Sequence, residues 1–427
     1  MSSNAQTYES GMQERGAAGA AAPVKAGFNY IFGLVNLAVV FCLVWLLWYV
    51  FMHPDGVMKL YTPMYGFSLV AVLAASIILL TKVIGWPKEP DQALPSGVAL
   101  SRGIAGTILA LVLMLVVYYL VFRGFLGQLG IAYFSPDALV AGGGTGAEPW
   151  NAREWSSTAI LYFSTAVMWW ALAWDLGFGK WPWQDNKPAV QAFSRLCAVL
   201  FLSGVTFFVL FHPHVCMLFP QAQSMAGVKP WWEGWAQTTS AFYGLGVALC
   251  SLFWIVFSEL FWEGRPWSLL GKDGGGSLVG GVVTFLGTLL LGLVLMYVLT
   301  QIYNAIWLEP YQGGQYTDGP DWRYIHMGEL SGFCILAAFI WKTYFNNFPN
   351  HLSLVVRAVV RSLIGVGGGL LIYWFYYSPA SKVVLGKLEG WGQPDDQPLI
   401  WILLFLSVVM IQGSFFAGWP LKTGAKE

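Results

Sequence analysis

The stretch from Met64 to Pro87, MYGFSLVAVLAASIILLTKVIGWP, contains the two features that decide the fold. Its first part is a nearly uninterrupted apolar run, and a helix needs about 20 such residues to cross the hydrocarbon core of a bilayer. Its last part, Gly85-Trp86-Pro87, places a ring without an N–H just after the run, where proline stops further helix. The stretch therefore predicts a membrane-spanning helix with a marked end.

Apolar windows of this kind recur along the chain and predict ten transmembrane helices. They run from Phe28 to Met52, Met64 to Val83, Arg102 to Phe122, Thr158 to Phe178, Arg195 to His212, Thr238 to Phe261, Leu278 to Thr300, Gly328 to Phe345, Val355 to Tyr377 and Leu399 to Ala417. Composition agrees, because 57% apolar and 10% charged residues lie outside the range of soluble domains. The expected class is an all-α polytopic membrane protein in contact with the lipid bilayer.

A related tag follows every even-numbered window. The tags are Gly85-Trp86-Pro87, Lys180-Trp181-Pro182, Gly264-Arg265-Pro266, Asn347-Phe348-Pro349 and Gly418-Trp419-Pro420. One tag per two windows predicts a single transmembrane domain of five tandem helical hairpins, residues 28–87, 102–182, 195–266, 278–349 and 355–420. A two-span unit returns the chain to the same side, so these repeats are parallel, unlike the inverted repeats of many secondary transporters. The expected arrangement is a ring or two-layer bundle; the alternative is that membrane helix ends generally favour Trp, Gly and Pro.

The distribution of positive charge predicts the orientation. One set of loops holds few Lys and Arg residues, namely Lys59, Arg123, Arg153, Lys229, Arg323, Lys382 and Lys387. The tails and the other loops hold more than twice as many of the 22 basic residues, so both termini are expected in the cytoplasm. The expected location of the protein is a bacterial inner membrane. Residues 1–27 are polar and rich in Ala and Gly, and we expect a disordered cytoplasmic tail there, with a second short tail at 421–427.

Ionisable residues recur at one position of the tags. Counting back seven residues, about 10 Å of helix, from the tag prolines reaches Asp175, Glu259 and Lys342, just inside the cytoplasmic end of the apolar region. Such residues are costly in a bilayer and need partners, for which Lys82, Lys342, Lys180 and Arg265 are candidates. One hypothesis is a solute or ion path through Asp175, Glu259, Lys342 and Lys82. The competing hypothesis is a set of ion pairs that only holds the bundle together.

Two features of the opposite side are candidate sites. His212, His214 and Cys216 have the side-chain types that bind copper or zinc. The competing explanation is a repeated helix stop, because His53-Pro54 lies at the matching end of the first window. Trp231, Trp232 and Trp235 form an outer aromatic vestibule in one interpretation and rest among lipid headgroups in the other.

Several functional classes are not expected. The 22 basic and 22 acidic residues balance, which argues against nucleic acid as a partner. The chain has no hydrolase, metalloprotease or phosphate-loop motif, so we expect neither an enzyme nor a cofactor. The leading hypothesis is a transport or permeation protein. One alternative is a non-catalytic subunit or scaffold of a larger membrane complex, respiratory or otherwise, as a homo-oligomer or with partner subunits. Another is a metal- or quinone-associated redox subunit.

Overall fold

The structure is a computed structural model. It describes residues 30–53, 55–59, 63–88, 94–129, 134–142, 149–211, 239–270, 276–306, 323–386 and 398–420. Within these ranges the regular secondary structure is helical throughout. The predicted tails, residues 1–27 and 421–427, lie outside the described residues.

A helix overlaps each of the ten predicted windows, and the residues that the structure describes between them form two short α-helices and the 3₁₀-helix Trp267–Leu270. The α-helices are α1 Tyr30–Phe51, α2 Pro63–Ile78, α3 Ser96–Leu115, α4 Pro136–Gly142, α5 Pro149–Ala173, α6 Pro188–Phe211, α7 Thr239–Leu260, α8 Leu278–Ile306, α9 Arg323–Phe345, α10 Leu354–Tyr376, α11 Pro379–Leu385 and α12 Pro398–Met410. The largest difference from prediction is at α5, which begins nine residues before Thr158. Its first two turns are polar, and an apolar window does not detect polar helix.

Four of these helices continue as π-helix, in which each turn is wider than in an α-helix. Leu79–Ile84 extends α2, Val116–Leu126 extends α3, Trp174–Phe178 extends α5 and Ile411–Phe415 extends α12. Three of these four segments directly precede a Trp-Pro tag. The fourth, in α3, lies at the opposite end of the bundle.

Eight helical segments of the described chain are long and apolar enough to cross a membrane. They are Tyr30–Phe51, Met64–Ile84, Ser96–Leu126, Ala152–Phe178, Pro188–Phe207, Leu278–Tyr303, Leu354–Tyr376 and Pro398–Phe415. A shorter apolar segment, Gly244–Leu260, lies in α7. The chain is therefore an all-α membrane protein.

The ten long helices form two layers. In the inner layer α2 packs on α5, α5 on α7, α7 on α9, α9 on α12 and α12 on α2, which closes a ring. The spans in α2, α5 and α12 are 72%, 78% and 67% buried, whereas the five outer spans, in α1, α3, α6, α8 and α10, are only 17–28% buried. The outer helices therefore present most of their apolar surface to the surroundings.

The outer helices follow one packing rule. Each outer helix packs on two inner helices that are neighbours in the ring order α2, α5, α7, α9, α12, which closes from α12 back to α2. Thus α3 lies on α2 and the π end of α12, α6 on α5 and the π end of α2, and α8 on α7 and the π end of α5. Helix α10 lies on α9 and α7, and α1 lies on α12 and α9.

Glycines allow four of these contacts to be close. Gly33 of α1 lies under Phe345, Gly103 of α3 under Phe416, Gly281 of α8 under Phe178 and Gly365 of α10 under Phe261. Small residues at helix interfaces in membranes let backbones approach, because packing rather than water exclusion drives association there. Each of the four aromatic rings lies at the tag end of an inner helix, four or five residues before the tag proline.

The backbone turns alike at the tags. All five peptide bonds before the tag prolines are cis. In four tags the residue before proline donates its N–H to the carbonyl three residues earlier; the donors are Trp181, Arg265, Phe348 and Trp419, with N···O distances of 3.0–3.1 Å. The first tag differs, since the Trp86 N–H donates to the Leu80 carbonyl at 2.8 Å.

Candidate functional site

Three of the four residues predicted to line a path lie together. Lys82 comes from the π end of α2, Asp175 from the π end of α5 and Glu259 from the last turn of α7. The Lys82 ammonium lies 3.6 Å from Asp175 Oδ2 and is in direct contact with Glu259 Oε1. Ion pairs therefore connect three inner helices at their tag ends.

Arg195 of α6 completes this ion-pair cluster. Its Nη2 atom lies 3.0 Å from Asp175 Oδ1 and donates a second hydrogen bond, of 2.9 Å, to the Lys82 carbonyl. Two basic and two acidic groups thus balance, as groups removed from water require. Arg195 was not among the predicted partners of Asp175. The Ser194-Arg195 pair repeats the Ser101-Arg102 pair of another odd-numbered window, which indicates a repeated position but not the partner of Arg195.

Lys342, the fourth predicted path residue, is not in this cluster. It lies on α9 in the last turn, and its side chain is exposed. Among the described residues, no ion pair includes Lys342, so its place on a path stays a prediction. Ion pairs do connect Lys82, Asp175, Glu259 and Arg195.

A narrow apolar cavity lies inside the ring of inner helices. Each inner helix contributes to its wall, and the volume open to the centre of a water molecule is about 60 Å³. On α2 the wall extends from Phe67 to Ile78, a length of about 16 Å along the helix. Thr165 is the polar residue of the wall, and its hydroxyl donates to the Leu161 carbonyl. This axial cavity offers apolar contact along its length.

The ion-pair cluster follows the cavity at its tag end. Leu172 and Val256 line the cavity, and Asp175 and Glu259 come three residues later on the same helices. Residues three or four apart share one face of a helix, so the charged side chains follow the apolar wall by one turn. The side chains of Lys82, Asp175 and Glu259 are 31%, 30% and 19% exposed, as expected at a cavity mouth.

A second buried polar group lies at the other end of α9. Glu329, in the second turn of α9, is 1% exposed. Its Oε2 atom lies 2.5 Å from His326 Nδ1 and accepts a hydrogen bond of 3.0 Å from the Tyr377 hydroxyl. Sequence reasoning missed Tyr377, which follows α10 and is distant from Glu329 in the chain.

The two candidate sites of the opposite side lie outside the described residues. This applies to the metal ligands His212, His214 and Cys216 and to the vestibule residues Trp231, Trp232 and Trp235. Among the residues that the structure describes, no group of three His, Cys, Asp or Glu side chains is arranged to hold a metal ion.

The fold and the site define an all-α membrane protein with an axial cavity and an ion-pair cluster at one end of it. Comparisons with protein-family models, with curated proteins and with solved structures found no match.

Proposed function

We propose that the protein is a membrane transport or permeation protein whose solute passes along the axial cavity and leaves it beside Lys82, Asp175 and Glu259. The observation that carries this proposal is the ring of five inner helices around one cavity that ends at an ion-pair cluster. A bundle that served only as an anchor would gain from filling this space, because lost packing contacts cost stability.

The chemistry of the path favours a small neutral solute. An apolar wall supplies no ligands to replace the hydration shell of an ion. The ion-pair cluster contains as many basic as acidic groups, so it does not concentrate ions of one sign. Its role in this proposal is closure: the ion pairs hold the ends of α2, α5 and α7 together, and a solute passes when they separate.

Five parallel hairpins are the proposed architecture of this path. The two helices absent from the eight apolar segments, α7 and α9, have the same place in the ring as α2, α5 and α12, which supports ten crossings. A shared hydrogen bond supports the repeat as well. Arg102, Arg195 and Arg361, each on an outer helix, donate to a carbonyl near the tag end of an inner helix, at 2.8, 2.9 and 3.5 Å.

The proposed orientation places the tags, and with them both termini, on the cytoplasmic side of a bacterial inner membrane. Lys82, Arg102, Arg195, Arg357 and Arg361 all lie near tag ends, in agreement with the excess of basic residues on cytoplasmic sides. The axial cavity then opens toward the cytoplasm past the ion-pair cluster.

Solute flux into proteoliposomes tests the proposal. We expect wild-type protein to accelerate the entry of at least one of urea, glycerol and ammonia over protein-free vesicles, measured by stopped-flow light scattering or an internal pH dye. Leu406→Trp places a large ring in the cavity and is expected to remove at least nine-tenths of that flux. The matched control is Leu371→Trp, whose side chain is 69% exposed on α10 and whose flux should equal wild type.

The alternative role, a non-catalytic membrane subunit or scaffold, predicts the opposite results. Wild-type vesicles would then be no more permeable than protein-free ones to any of the three solutes, and extraction in mild detergent would retain a stoichiometric partner. Equal flux through wild type and Leu406→Trp would also reject the axial path. Asp175→Asn combined with Glu259→Gln sharpens the test, because loss of closure is expected to raise the flux severalfold.

A further inference from the structure

Two arginines lie beside the same tyrosine at the end of the bundle opposite the tags. Arg123 belongs to the π-helical part of α3 and Arg153 to the second turn of α5, and both are half-buried. The guanidinium carbons of both lie 5.6 Å from the ring centroid of Tyr65 on α2. One tyrosine therefore stands within cation–π distance of two positive charges.

No acidic side chain neutralises these arginines within the described part of the chain. The ion pairs there involve Lys82, Arg195, His326, Arg357 and Arg361. Glu154, next to Arg153 in sequence, instead accepts a hydrogen bond of 2.8 Å from the Met64 N–H and caps the start of α2. The Nε atoms of Arg123 and Arg153 are buried, and neither has a hydrogen-bond partner among the described residues.

Arg123 contacts a group of hydroxyls around Tyr118. Tyr118 is fully buried, accepts a hydrogen bond of 3.3 Å from Arg123 Nη2 and lies 3.0 Å from the hydroxyls of both Ser68 and Ser157. The hydroxyls of Tyr65 and Tyr119 are in direct contact. These groups orient the guanidinium of Arg123 but do not balance its charge.

The π-helix makes this arrangement possible. Tyr118 and Arg123 are five residues apart, and in an α-helix they would differ by about 140° around the axis. In the wider π turns of Val116–Leu126 the Arg123 guanidinium instead lies 4.9 Å from the Tyr118 ring centroid. π-helical segments are rare and occur frequently at functional sites.

We propose that Arg123 and Arg153 form a binding site for a phosphate group. Two positive charges at the edge of an apolar bundle need a counter-ion, and a guanidinium matches phosphate by two parallel N–H···O hydrogen bonds. Tyr119 is exposed, and when its hydroxyl accepts the hydrogen bond from Tyr65 its own proton is an additional donor for the phosphate. The same chemistry suits a phospholipid headgroup and a soluble phosphate, and the proposal does not depend on flux through the axial cavity.

Native mass spectrometry of the full-length protein in a maltoside detergent tests the site, with phosphatidylglycerol and inorganic phosphate as separate probes. We expect one molecule of at least one probe to bind, and Arg123→Gln and Arg153→Gln each to weaken that binding at least tenfold. Arg357→Gln is the control, because it removes an arginine from an ion pair with Glu263 at the tag end and should leave binding unchanged.

The two sources of phosphate give different results. A headgroup site binds phosphatidylglycerol and keeps it in millimolar inorganic phosphate, whereas a site for a soluble anion binds inorganic phosphate and loses the lipid. Arg153→Lys keeps the charge but not the paired donors, so it should weaken binding severalfold even if Arg153→Gln fails to fold. Binding of neither probe to the wild type, or equal affinity in wild type and the arginine variants, overturns the proposal.

Discussion

Some inner and outer helices of this protein are equally apolar but lie in very different environments. Mean hydropathy is 2.4 for the inner span Met64–Ile84 and 2.5 for the outer span Tyr30–Phe51, yet these spans are 72% and 28% buried. In water such a difference in burial requires a difference in composition, but lipid tails are as apolar as leucine. What separates the layers is therefore packing and the placement of a few polar groups, and three substitutions test that statement.

The largest effect is expected in the ion-pair cluster. Lys82→Met leaves the Glu259 and Asp175 carboxylates without their shared cation, although Asp175 keeps Arg195. Removing one partner of a buried ion pair is strongly destabilising, and we expect a loss of about 2–3 kcal/mol here because the group is partly exposed. Unfolding in mixed micelles of SDS and maltoside, followed by tryptophan fluorescence, measures it.

The control for this substitution is Lys342→Met. Lys342 lies seven residues before its tag proline, as Asp175 and Glu259 do, but is exposed and outside the cluster. Its replacement should change the free energy of unfolding by less than about 0.5 kcal/mol. Equal losses in the two variants would mean that the cluster does not hold the inner layer together.

A smaller effect is expected where outer helices touch inner ones. In Gly365→Ala the new Cβ would lie 2.5 Å from a ring carbon of Phe261 and 2.9 Å from Phe257, and both rings are buried. Overpacking of this kind costs about 1–3 kcal/mol. Gly367, two residues further along α10, has nothing within 4 Å of an added Cβ. Gly367→Ala should be neutral or slightly stabilising in the same unfolding assay, because alanine favours helix.

The smallest effect is expected from removing side-chain volume. Leu406→Ala enlarges the axial cavity, and in a bilayer the loss is mainly of packing contacts, about 1 kcal/mol. Leu371 of α10 is exposed, so both leucine and alanine at this position contact lipid in the bilayer. Leu371→Ala should therefore leave the stability almost unchanged. Apparent melting temperatures in detergent compare the two. A greater loss for Leu371 would contradict the division into layers.

Much of the fold could be predicted from apolar length alone. Each predicted window overlaps a helix, and α8 begins at Leu278, where its window begins. The errors lie where helices continue through polar residues, as before Thr158 in α5, because hydropathy reports contact with lipid and not helix formation. The structure describes eight apolar segments of spanning length, and ten crossings remain a prediction.

The candidate site could be predicted in part. Asp175 and Glu259 were predicted from their shared position before the tag prolines. Both carboxylates need a cation, and Lys82, one of the predicted candidates, supplies it. Two features could not be predicted: that Arg195 and not Lys342 joins the cluster, and that Tyr377 meets Glu329. Both depend on which helices become neighbours, and residues distant in the chain give no local sign of that contact.

By itself the sequence determined that this protein belongs in a membrane. It also determined the positions of most helices along the chain and the similar ends of the even-numbered ones. These properties follow from local apolarity and from proline. Only the tertiary structure decided which helices form the ring, which face outward, and that an axial cavity ends at Lys82, Asp175 and Glu259. The physical reason is that lipid and protein are equally good surroundings for an apolar side chain. Layer and neighbour are therefore chosen by close contacts, such as Gly281 under Phe178, and by the need of buried charges for partners.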